Sequence, residues 1–500
     1  MTKKLKSGTP FVYDENDRVV GIRDPHTGTD TDLVTATRGP GGGIEFRAGK
    51  RRAPIFRPGV NQLVRQWPVE WATTADRDGV PKYSAVSTAG GGTWDVTLDR
   101  SCPITGLPML ECTLPSGASL QTQQVKWVDQ PQVEMGPDDS WLIPVYIPLS
   151  ATAPVRVTVR ISSEPDVLGT EYRQINFDGA MVIPGWNILQ CLHNEVKITS
   201  VQYGTVGTTY NNDWTNPGTL TTVSTPIRSI ALRIAATSAP SAPLPVYVGS
   251  VHYARRGWLR SAVMWSADDV PKSFYELALP ILDEFGFGFT GNYVPSYTAE
   301  HRDIYMTWPQ VLDTIKRGHE AWGHTRRHDR MTEGTEAEKI RALREPRDYF
   351  AKRGMPNAAA CFAYPFGAFD QQSTDIAKSL GYRLARATHG IAMSPLMPGA
   401  NPYWLPALSI EQTNSWWIDS ALNGIVKRGQ ACVSYSHNVY PGGAGIDTRP
   451  AETSFYADHL RRWCELLAPH VESGDVVCPT MTEYFGLVGI DPLRDPLPEV

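Results

Sequence analysis

Two acidic residues and two histidines, far apart in the sequence, could together carry out metal chemistry. Asp268 and Asp269 follow the apolar run 262–266, and His324 and His328 are four residues apart. Imidazoles at this spacing on a helical turn can reach one ion, and a carboxylate completes a three-ligand set that leaves zinc an open position for water. Each pair alone has a plainer interpretation, because aspartates cap helices and paired histidines are often surface or core residues.

Two further segments end in side chains that suit the same chemistry. FAYPFG at 362–367 is typical of an aromatic strand that turns at a glycine, and VSYSH at 433–437 is typical of a strand that finishes on a histidine.

The sequence lacks the signatures of two other hydrolase classes. The histidine after His319-Glu320 is five positions from His319, so the zincin motif is absent, and no G-x-S-x-G elbow of a serine hydrolase occurs.

The second half of the chain must position these residues, and its pattern changes after about residue 258. Apolar strand-like runs alternate with helical periods, which we predict at 274–285, 308–316, 336–352 and 371–380. Strands that alternate with helices predict a parallel sheet with crossover connections, long enough here for a barrel. Because such a barrel presents its chemistry at the carboxyl ends of its strands, we expect the four segments to meet there.

Residues 51–257 show short strands divided by Gly, Pro, Ser and Thr clusters. From Val155 to Ile161 aliphatic side chains alternate with Arg and Thr, which places them on one face of a strand, and another strand is predicted at 246–251. This pattern predicts a jelly-roll-like β-sandwich, a carbohydrate-binding or spacer module. The polar residues 1–50 are predicted to form an N-terminal segment with a glycine-rich linker.

The 500-residue chain has a formal net charge of −5, with 41% hydrophobic and 20% charged residues. This composition is typical of a folded multidomain protein and indicates no nucleic-acid partner. The first residues lack the apolar core of a secretory signal and no stretch suits a membrane span, so we expect cytoplasmic synthesis without a signal peptide. Seven cysteines without a CxxC pair predict reduced, mostly buried thiols.

Taken in order, the four segments resemble the motifs of NodB-homology polysaccharide deacetylases, carbohydrate esterase family 4. The family's T-F-D-D motif matches SADD at 266–269 in its two aspartates, and its H-S/T-x-x-H motif matches HTRRH at 324–328 in full. AYPFG at 363–367 corresponds to the R-x-P-Y/F-G motif, and YSH at 435–437 to the L-x-H motif. We therefore predict a catalytic domain at 258–490.

The resemblance implies a distorted (β/α) barrel and a polysaccharide deacetylase that uses zinc or another divalent metal. The metal would lower the pKa of its bound water to roughly 7. Asp268 stays free as general base because its neighbour occupies the metal. We expect an extended backbone at this pair, on which adjacent side chains point different ways. The backbone N–H of Phe366 is the implied oxyanion donor, since Pro365 has none, and His437 is the candidate acid. The implied metal ligands are Asp269, His324 and His328.

Aromatic rings suit the apolar faces of sugar rings, so Tyr364, Trp416 and Trp417 are candidate substrate-binding residues, although core packing explains most tryptophans equally well. The sequence departs from the family in two places. Ala363 replaces the arginine that pairs with the catalytic aspartate in many members, and no residue is assigned to the D-x-x-D-W-type fourth motif near 409–419. These departures leave open which residues tune the base and the final histidine.

The stretch FVYDENDRVVGI at 11–22 is similar to short leaders of bacteriophage tail-fibre and tailspike proteins. This resemblance implies a virion enzyme that deacetylates host capsule or O-antigen beside other tail proteins. Such proteins are commonly homotrimers, so the resemblance also implies a homotrimer. A cellular peptidoglycan or chitooligosaccharide deacetylase and an inactive sugar-binding adhesin stay open as alternatives, and the sequence does not distinguish N-acetyl from O-acetyl substrates.

Overall fold

A computed structural model describes most of the chain from residue 63 to residue 487. Short strands are also described before residue 48 and between 202 and 209. The remaining described residues are 63–88, 90–117, 121–167, 172–177, 182–193, 226–301, 303–388, 401–411, 415–442 and 454–487.

Six short strands are described in the N-terminal region. The first four form an antiparallel sheet in sequence order, and the last two pair with each other. The predicted attachment role and linker of residues 1–50 otherwise lie outside the described residues. The strands are β1 (Lys4–Leu5), β2 (Phe11–Tyr13), β3 (Val19–Arg23), β4 (Asp30–Asp32), β5 (Thr35–Arg38) and β6 (Ile44–Arg47).

Two antiparallel sheets follow. Their strands are β7 (Val69–Ala72), β8 (Ala85–Ser87), β9 (Thr93–Ser101), β10 (Pro108–Leu114), β11 (Gln123–Trp127), β12 (Ser140–Ile147), β13 (Val155–Ser162), β14 (Arg173–Phe177), β15 (Gly185–Leu192), β18 (Ser229–Ala236), β19 (Leu244–Val248) and β20 (Val251–Ala254), with the separate pair β16 (Gln202–Tyr203) and β17 (Thr208–Thr209). One sheet has the order β7-β20-β12-β19-β10-β9, with β15 on β12, and the other has the order β14-β13-β18-β11-β8.

The two sheets share one hydrophobic core, because alternate residues of their strands are apolar. The alternation predicted from Val155 to Ile161 holds, since these aliphatic side chains are buried. The single strand predicted at 246–251 is wrong: β19 and β20 are separate strands that pair with different parts of β12. The break lies opposite Pro144, which has no N–H to continue the ladder.

A parallel sheet fills the C-terminal part. Its strands are β21 (Ser261–Asp268), β22 (Phe289–Tyr293), β23 (Glu320–Gly323), β24 (Cys361–Ala363), β25 (Leu384–Arg386), β26 (Leu408–Ser409), β27 (Ala431–Tyr435) and β30 (Val476–Val477), beside the small pair β28 (Asn438–Tyr440) and β29 (Ser454–Tyr456). The order is β25-β24-β23-β22-β21-β27-β26, with β30 on β21. Every pairing is parallel, as the alternation of strands and helices predicts.

Helices connect most of these strands. They are α1 (Leu279–Phe285), α2 (Pro295–Glu300), α3 (Trp308–Lys316), α4 (Glu336–Ala351), α5 (Pro356–Ala360), α6 (Gln371–Ser379), α7 (Ser415–Arg428), α8 (Ala457–Glu472) and α9 (Met481–Leu487). Capping boxes at Thr307 and Thr335 fix where α3 and α4 begin. The helix predicted at 274–285 is divided, because a π-helical turn at Phe274–Ala278 precedes α1.

The parallel sheet is curled. Its two outer regions approach each other through an isolated parallel bridge between Arg386 and Leu405. The distorted barrel expected from the sequence is therefore found as a curled, parallel half-barrel. The curl brings the carboxyl ends of β21, β23, β24, β25 and β27 to one rim, where the predicted reactive residues lie.

The antiparallel sheets pack directly on the parallel one. Leu142 on β12 shares a hydrophobic cluster with Leu405 and Trp322. The Gln190 side-chain amide donates to the Arg428 carbonyl at 2.5 Å. Six cysteines are free and buried, as predicted, and no helix of the described residues has the length and apolarity of a membrane span.

Candidate metal centre

A left-handed turn at the end of β21 separates the two aspartates. Asp268 is the last residue of the strand, and Asp269 and Val270 follow with φ angles of 58° and 46°. Residues other than glycine rarely adopt this conformation, and for a β-branched valine it is strained. The extended backbone expected for this pair is therefore wrong. The kink is what gives the two carboxylates different neighbours.

The two histidines also lie in an irregular turn. His324 directly follows β23, and both Thr325 and His328 have left-handed φ angles, of 56° and 62°. The helical turn expected from the four-residue spacing is therefore wrong, because a turn with two left-handed residues brings the imidazoles together instead. Their ring centroids are 4.9 Å apart.

Asp269, His324 and His328 converge on one point. Asp269 Oδ1 lies 3.9 Å from His324 Nε2 and 3.6 Å from His328 Nε2, and the three possible ligand atoms all lie within 4.8 Å of one another. All three atoms are buried, and none has a hydrogen-bond partner among the described residues. Buried polar atoms are rarely left unpaired. Two imidazoles and a carboxylate in this arrangement fit a divalent metal that keeps an open coordination position.

The protonation of the triad also suits a metal. Burial lowers the pKa of His324 to about 3, and burial also lowers the pKa of His328, so both imidazoles are neutral at pH 7. His324 Nδ1 lies 2.8 Å from the Ala363 carbonyl, and a hydrogen on Nδ1 leaves the Nε2 lone pair for an ion. Burial raises the pKa of Asp269 to about 7, and a bound cation would favour its carboxylate form.

Asp268 has partners of its own. Arg386 Nη2 donates to Asp268 Oδ1, and the Asn292 amide donates to the same oxygen at 2.9 Å. Burial acts to raise the pKa of Asp268, but the Arg386 charge and the nearby histidines outweigh it and lower the pKa to about 2. Asp268 is therefore ionised at neutral pH, while Asp269 is the carboxylate available to a metal.

Arg386 supplies the guanidinium that the motif at Ala363 lacks. The two residues are paired across neighbouring strands, because Ala363 on β24 aligns with Arg386 on β25. The arginine side chain is fully buried. Sequence reasoning missed it, although one arginine inside the apolar run 384–387 is a signal for a buried ion pair.

His437 lies at the same rim with a second missed residue, Glu411. The Glu411 carboxylate is 2.6 Å from His437 Nδ1 and accepts the His437 backbone N–H at 2.7 Å. Burial alone would lower the pKa of His437, but the hydrogen bond with Glu411 and the charges of both aspartates raise it to about 9. Glu411 lies in the stretch 409–419, where the sequence analysis assigned no residue to the fourth motif. A glutamate at this position does not match a motif that is written with aspartates.

Phe366 has a left-handed φ of 59° in the turn after β24, and no hydrogen bond of the described residues uses its N–H. Phe366 is 55% exposed, and its ring centroid lies 4.4 Å from that of His328. The exposed Phe366 places this turn at the mouth of the site, next to the candidate ligand His328. The oxyanion role of the N–H stays a prediction.

Of the three aromatic side chains predicted to contact sugars, the structure describes that of Tyr364. Tyr364 is fully buried, with its ring 4.6 Å from Phe362 and 5.0 Å from Phe369. The assignment of Tyr364 to substrate binding is therefore wrong, because this residue, directly after β24, packs against these two rings inside the core. Trp416 and Trp417 lie on α7, but their side chains are outside the described residues, so their role stays a prediction.

The comparison with protein families agrees with this site. Residues 259–385 match the family model for polysaccharide deacetylase. The matched segment contains Asp268, Asp269, His324, His328 and Phe366. Residues 259–385 therefore form a polysaccharide deacetylase domain by their match to this family model.

Among curated relatives, the poly-beta-1,6-N-acetyl-D-glucosamine N-deacetylase of Staphylococcus aureus strain MSSA476 is 22% identical over 193 residues, which are 36% of this chain. The match spans 62% of that relative's length. A family 4 carbohydrate esterase from Streptomyces lividans, solved with acetate, has a TM-score of 0.30 and 16% identity over 45% of this chain and 94% of its own. A Streptococcus pyogenes deacetylase solved with acetate has a TM-score of 0.26 and 22% identity over 29% of this chain and 63% of its own.

The Glu411→Gln variant tests the coupling of His437 to its partner. Removing the carboxylate charge should lower the pKa of His437 from about 9 towards the ordinary value near 6.5. Because the folded-state pKa is raised, the pair contributes stability that is fully present below about pH 6.5 and lost as the pH rises through about 9. Stability at pH 7 should therefore fall in the variant.

The measurement is a histidine-selective NMR titration of the metal-free protein. Glu333→Gln, an exposed glutamate, is the matched control and should leave the His437 titration unchanged. An unaltered His437 pKa in Glu411→Gln would contradict the coupling.

Proposed function

We propose that this chain is a metal-dependent hydrolase that removes acetyl groups from a bacterial surface polysaccharide. The observation that carries the proposal is the convergence of three unpartnered ligand atoms beside an ionised aspartate. A site built only for structural stability would pair these buried atoms with each other or with neighbouring donors. The polysaccharide deacetylase domain supports the same conclusion.

Asp269, His324 and His328 would hold the metal. A divalent ion bound there would lower the pKa of a water molecule and polarise an acetyl carbonyl. We propose zinc, because two imidazoles and one carboxylate are typical of catalytic zinc, although cobalt and nickel accept similar ligands.

Asp268 is the proposed general base. It is ionised at neutral pH because Arg386 and Asn292 stabilise its negative charge. Its low pKa makes it a modest base, so it can take a proton only from a water that is already activated. The buried pair with Arg386 also fixes its carboxylate in one orientation.

The remaining groups act on the oxygen and on the leaving group. The free N–H of Phe366 is the proposed donor to the negative oxygen that develops as the acetyl carbon becomes tetrahedral. His437, with its pKa raised by Glu411, is protonated at pH 7 and can donate a proton to the departing amine or alcohol. An inactive sugar-binding adhesin would have no use for this complete set of groups.

The substrate and the biological setting are further proposals. The relative's poly-N-acetylglucosamine substrate supports an N-acetylated polymer. We propose a jelly-roll-like sandwich for the two antiparallel sheets, serving as a carbohydrate-binding or spacer module. From the leader-like stretch at 11–22 we propose a homotrimeric tail protein of a bacteriophage, acting from the virion on host capsule or O-antigen.

Mass spectrometry of purified virions tests the setting. Peptides of this chain should be present in tails after the particles are purified through a density gradient. Their absence from virions, together with their presence in bacterial envelopes, would favour the cellular peptidoglycan or chitooligosaccharide deacetylase instead.

Two substitutions separate chemistry from metal binding. Asp268→Asn should lower the rate of acetate release by roughly 10²–10⁴-fold while the protein still binds zinc, because the base is lost and the ligands remain. His328→Ala should lose both activity and most of the bound zinc. The measurements are acetate release from an acetylated polysaccharide and zinc content by mass spectrometry.

Asp375→Asn, an exposed position on α6, is the control and should change neither quantity. A chelator should abolish acetate release, and added zinc should restore it. Near-native rates in Asp268→Asn would contradict the proposal that Asp268 is the general base. Full activity after chelation would contradict the proposal that the enzyme requires a metal.

A further inference from the structure

A cavity of about 500 Å³ lies between the loop that contains His328 and helix α4. Five of its lining residues carry positive charge: Arg326, Arg327, Arg330, Lys339 and Arg341. Three of these arginines fall within five consecutive positions of the chain, on both sides of His328, and their side chains are exposed. No step of the proposed reaction uses them.

The carboxylates in the same cavity do not neutralise all of these cations. Glu345 pairs with Arg326, and Glu338 accepts the backbone N–H of Thr335 at the start of α4. Asp329 accepts the backbone N–H of Arg327 at 3.2 Å. The Arg327 guanidinium itself forms no ion pair with any described residue.

Arg330 connects the cavity to the metal site. Its guanidinium carbon lies 4.3 Å from the centroid of the Phe366 ring, and that ring lies 4.4 Å from the His328 ring. The only ion pair of Arg330 among the described residues uses Nε, at 3.3 Å from a Glu333 carboxylate that is 74% exposed. Such a surface pair is weak, and it leaves both Nη groups of the stacked guanidinium available to a ligand.

We propose that this cavity binds a carboxylate-bearing sugar residue next to the acetylated residue, so that the substrate is an acidic polysaccharide. A guanidinium fork matches the two oxygens of a carboxylate, and stacking on Phe366 holds the fork in place before the ligand arrives. Arg330 is the specificity-determining residue and Arg327 assists it. The inference rests on the proposed function, because it places this sugar beside the acetyl group to be removed.

The cavity has the size and composition for one sugar residue. Its polar side chains offer both donors and acceptors, which suit hydroxyl groups, and Met331 adds an apolar contact. A neutral polymer could form hydrogen bonds through its hydroxyl groups, but it would offer no carboxylate to the guanidinium groups of Arg330 and Arg327. The difference in affinity between acidic and neutral polymers therefore isolates the contribution of the two arginines.

Hyaluronan oligosaccharides, in which N-acetylglucosamine alternates with glucuronate, provide the probe. Chemical reduction of their carboxylates gives a neutral control that differs only at that group. Isothermal titration of the full-length, zinc-loaded protein should show at least about tenfold tighter binding of the acidic form at low salt. The preference should shrink in about 1 M salt, where charges are strongly screened.

Arg330→Gln should remove the preference, and Arg344→Gln, an exposed arginine of α4 outside the cavity, should keep it. Equal affinities in the wild type, no binding of either polymer, or an unchanged preference in Arg330→Gln would overturn the inference. Hydrolysis of 4-nitrophenyl acetate by the zinc-loaded wild type reports on the proposed function separately. Zinc-dependent hydrolysis without an acidic preference overturns only the inference, and absent hydrolysis counts against the proposed function.

Discussion

Two carboxylates on consecutive residues can both be ionised inside a protein only if each meets a positive charge. Here a left-handed turn directs Asp268 to the Arg386 guanidinium and leaves Asp269 facing two neutral imidazoles. The first carboxylate is satisfied within the protein, and the second is not. That imbalance is the basis on which we propose a cation site, in which Asp269 would bind the ion and Asp268 would transfer a proton.

The curled parallel sheet is what allows this division. The proposed metal ligands come from the residues after β21 and β23, Arg386 from β25, and His437 from the residues after β27. Parallel pairing puts all these carboxyl ends on one rim, and the curl brings strands that are distant in order within hydrogen-bonding reach. The Glu411–His437 pair then adds a second charged couple at the same rim. The strand topology therefore determines where these charged side chains lie.

The sequence predicted that Asp269, His324 and His328 would lie together, because each belongs to a short motif next to a recognisable strand end. It did not predict Arg386 or Glu411, whose partners are 118 and 26 residues away, because pairings at that distance depend on strand order. It misjudged the backbone at Asp269 and His328, since left-handed conformations of non-glycine residues are uncommon and the preference of Asp and His for them is only a weak sequence signal. It misplaced Tyr364, because the motif does not show that this ring packs against Phe362 and Phe369 in the core.

The most direct test of this account is a crystal structure of the zinc-loaded protein with diffraction data collected on both sides of the zinc absorption edge. The account predicts one strong anomalous peak at the rim, bonded to Asp269, His324 Nε2 and His328 Nε2 at about 2.0–2.2 Å, with Asp268 still paired to Arg386. A peak bound by other residues, or no peak between these three side chains at saturating zinc, would contradict it.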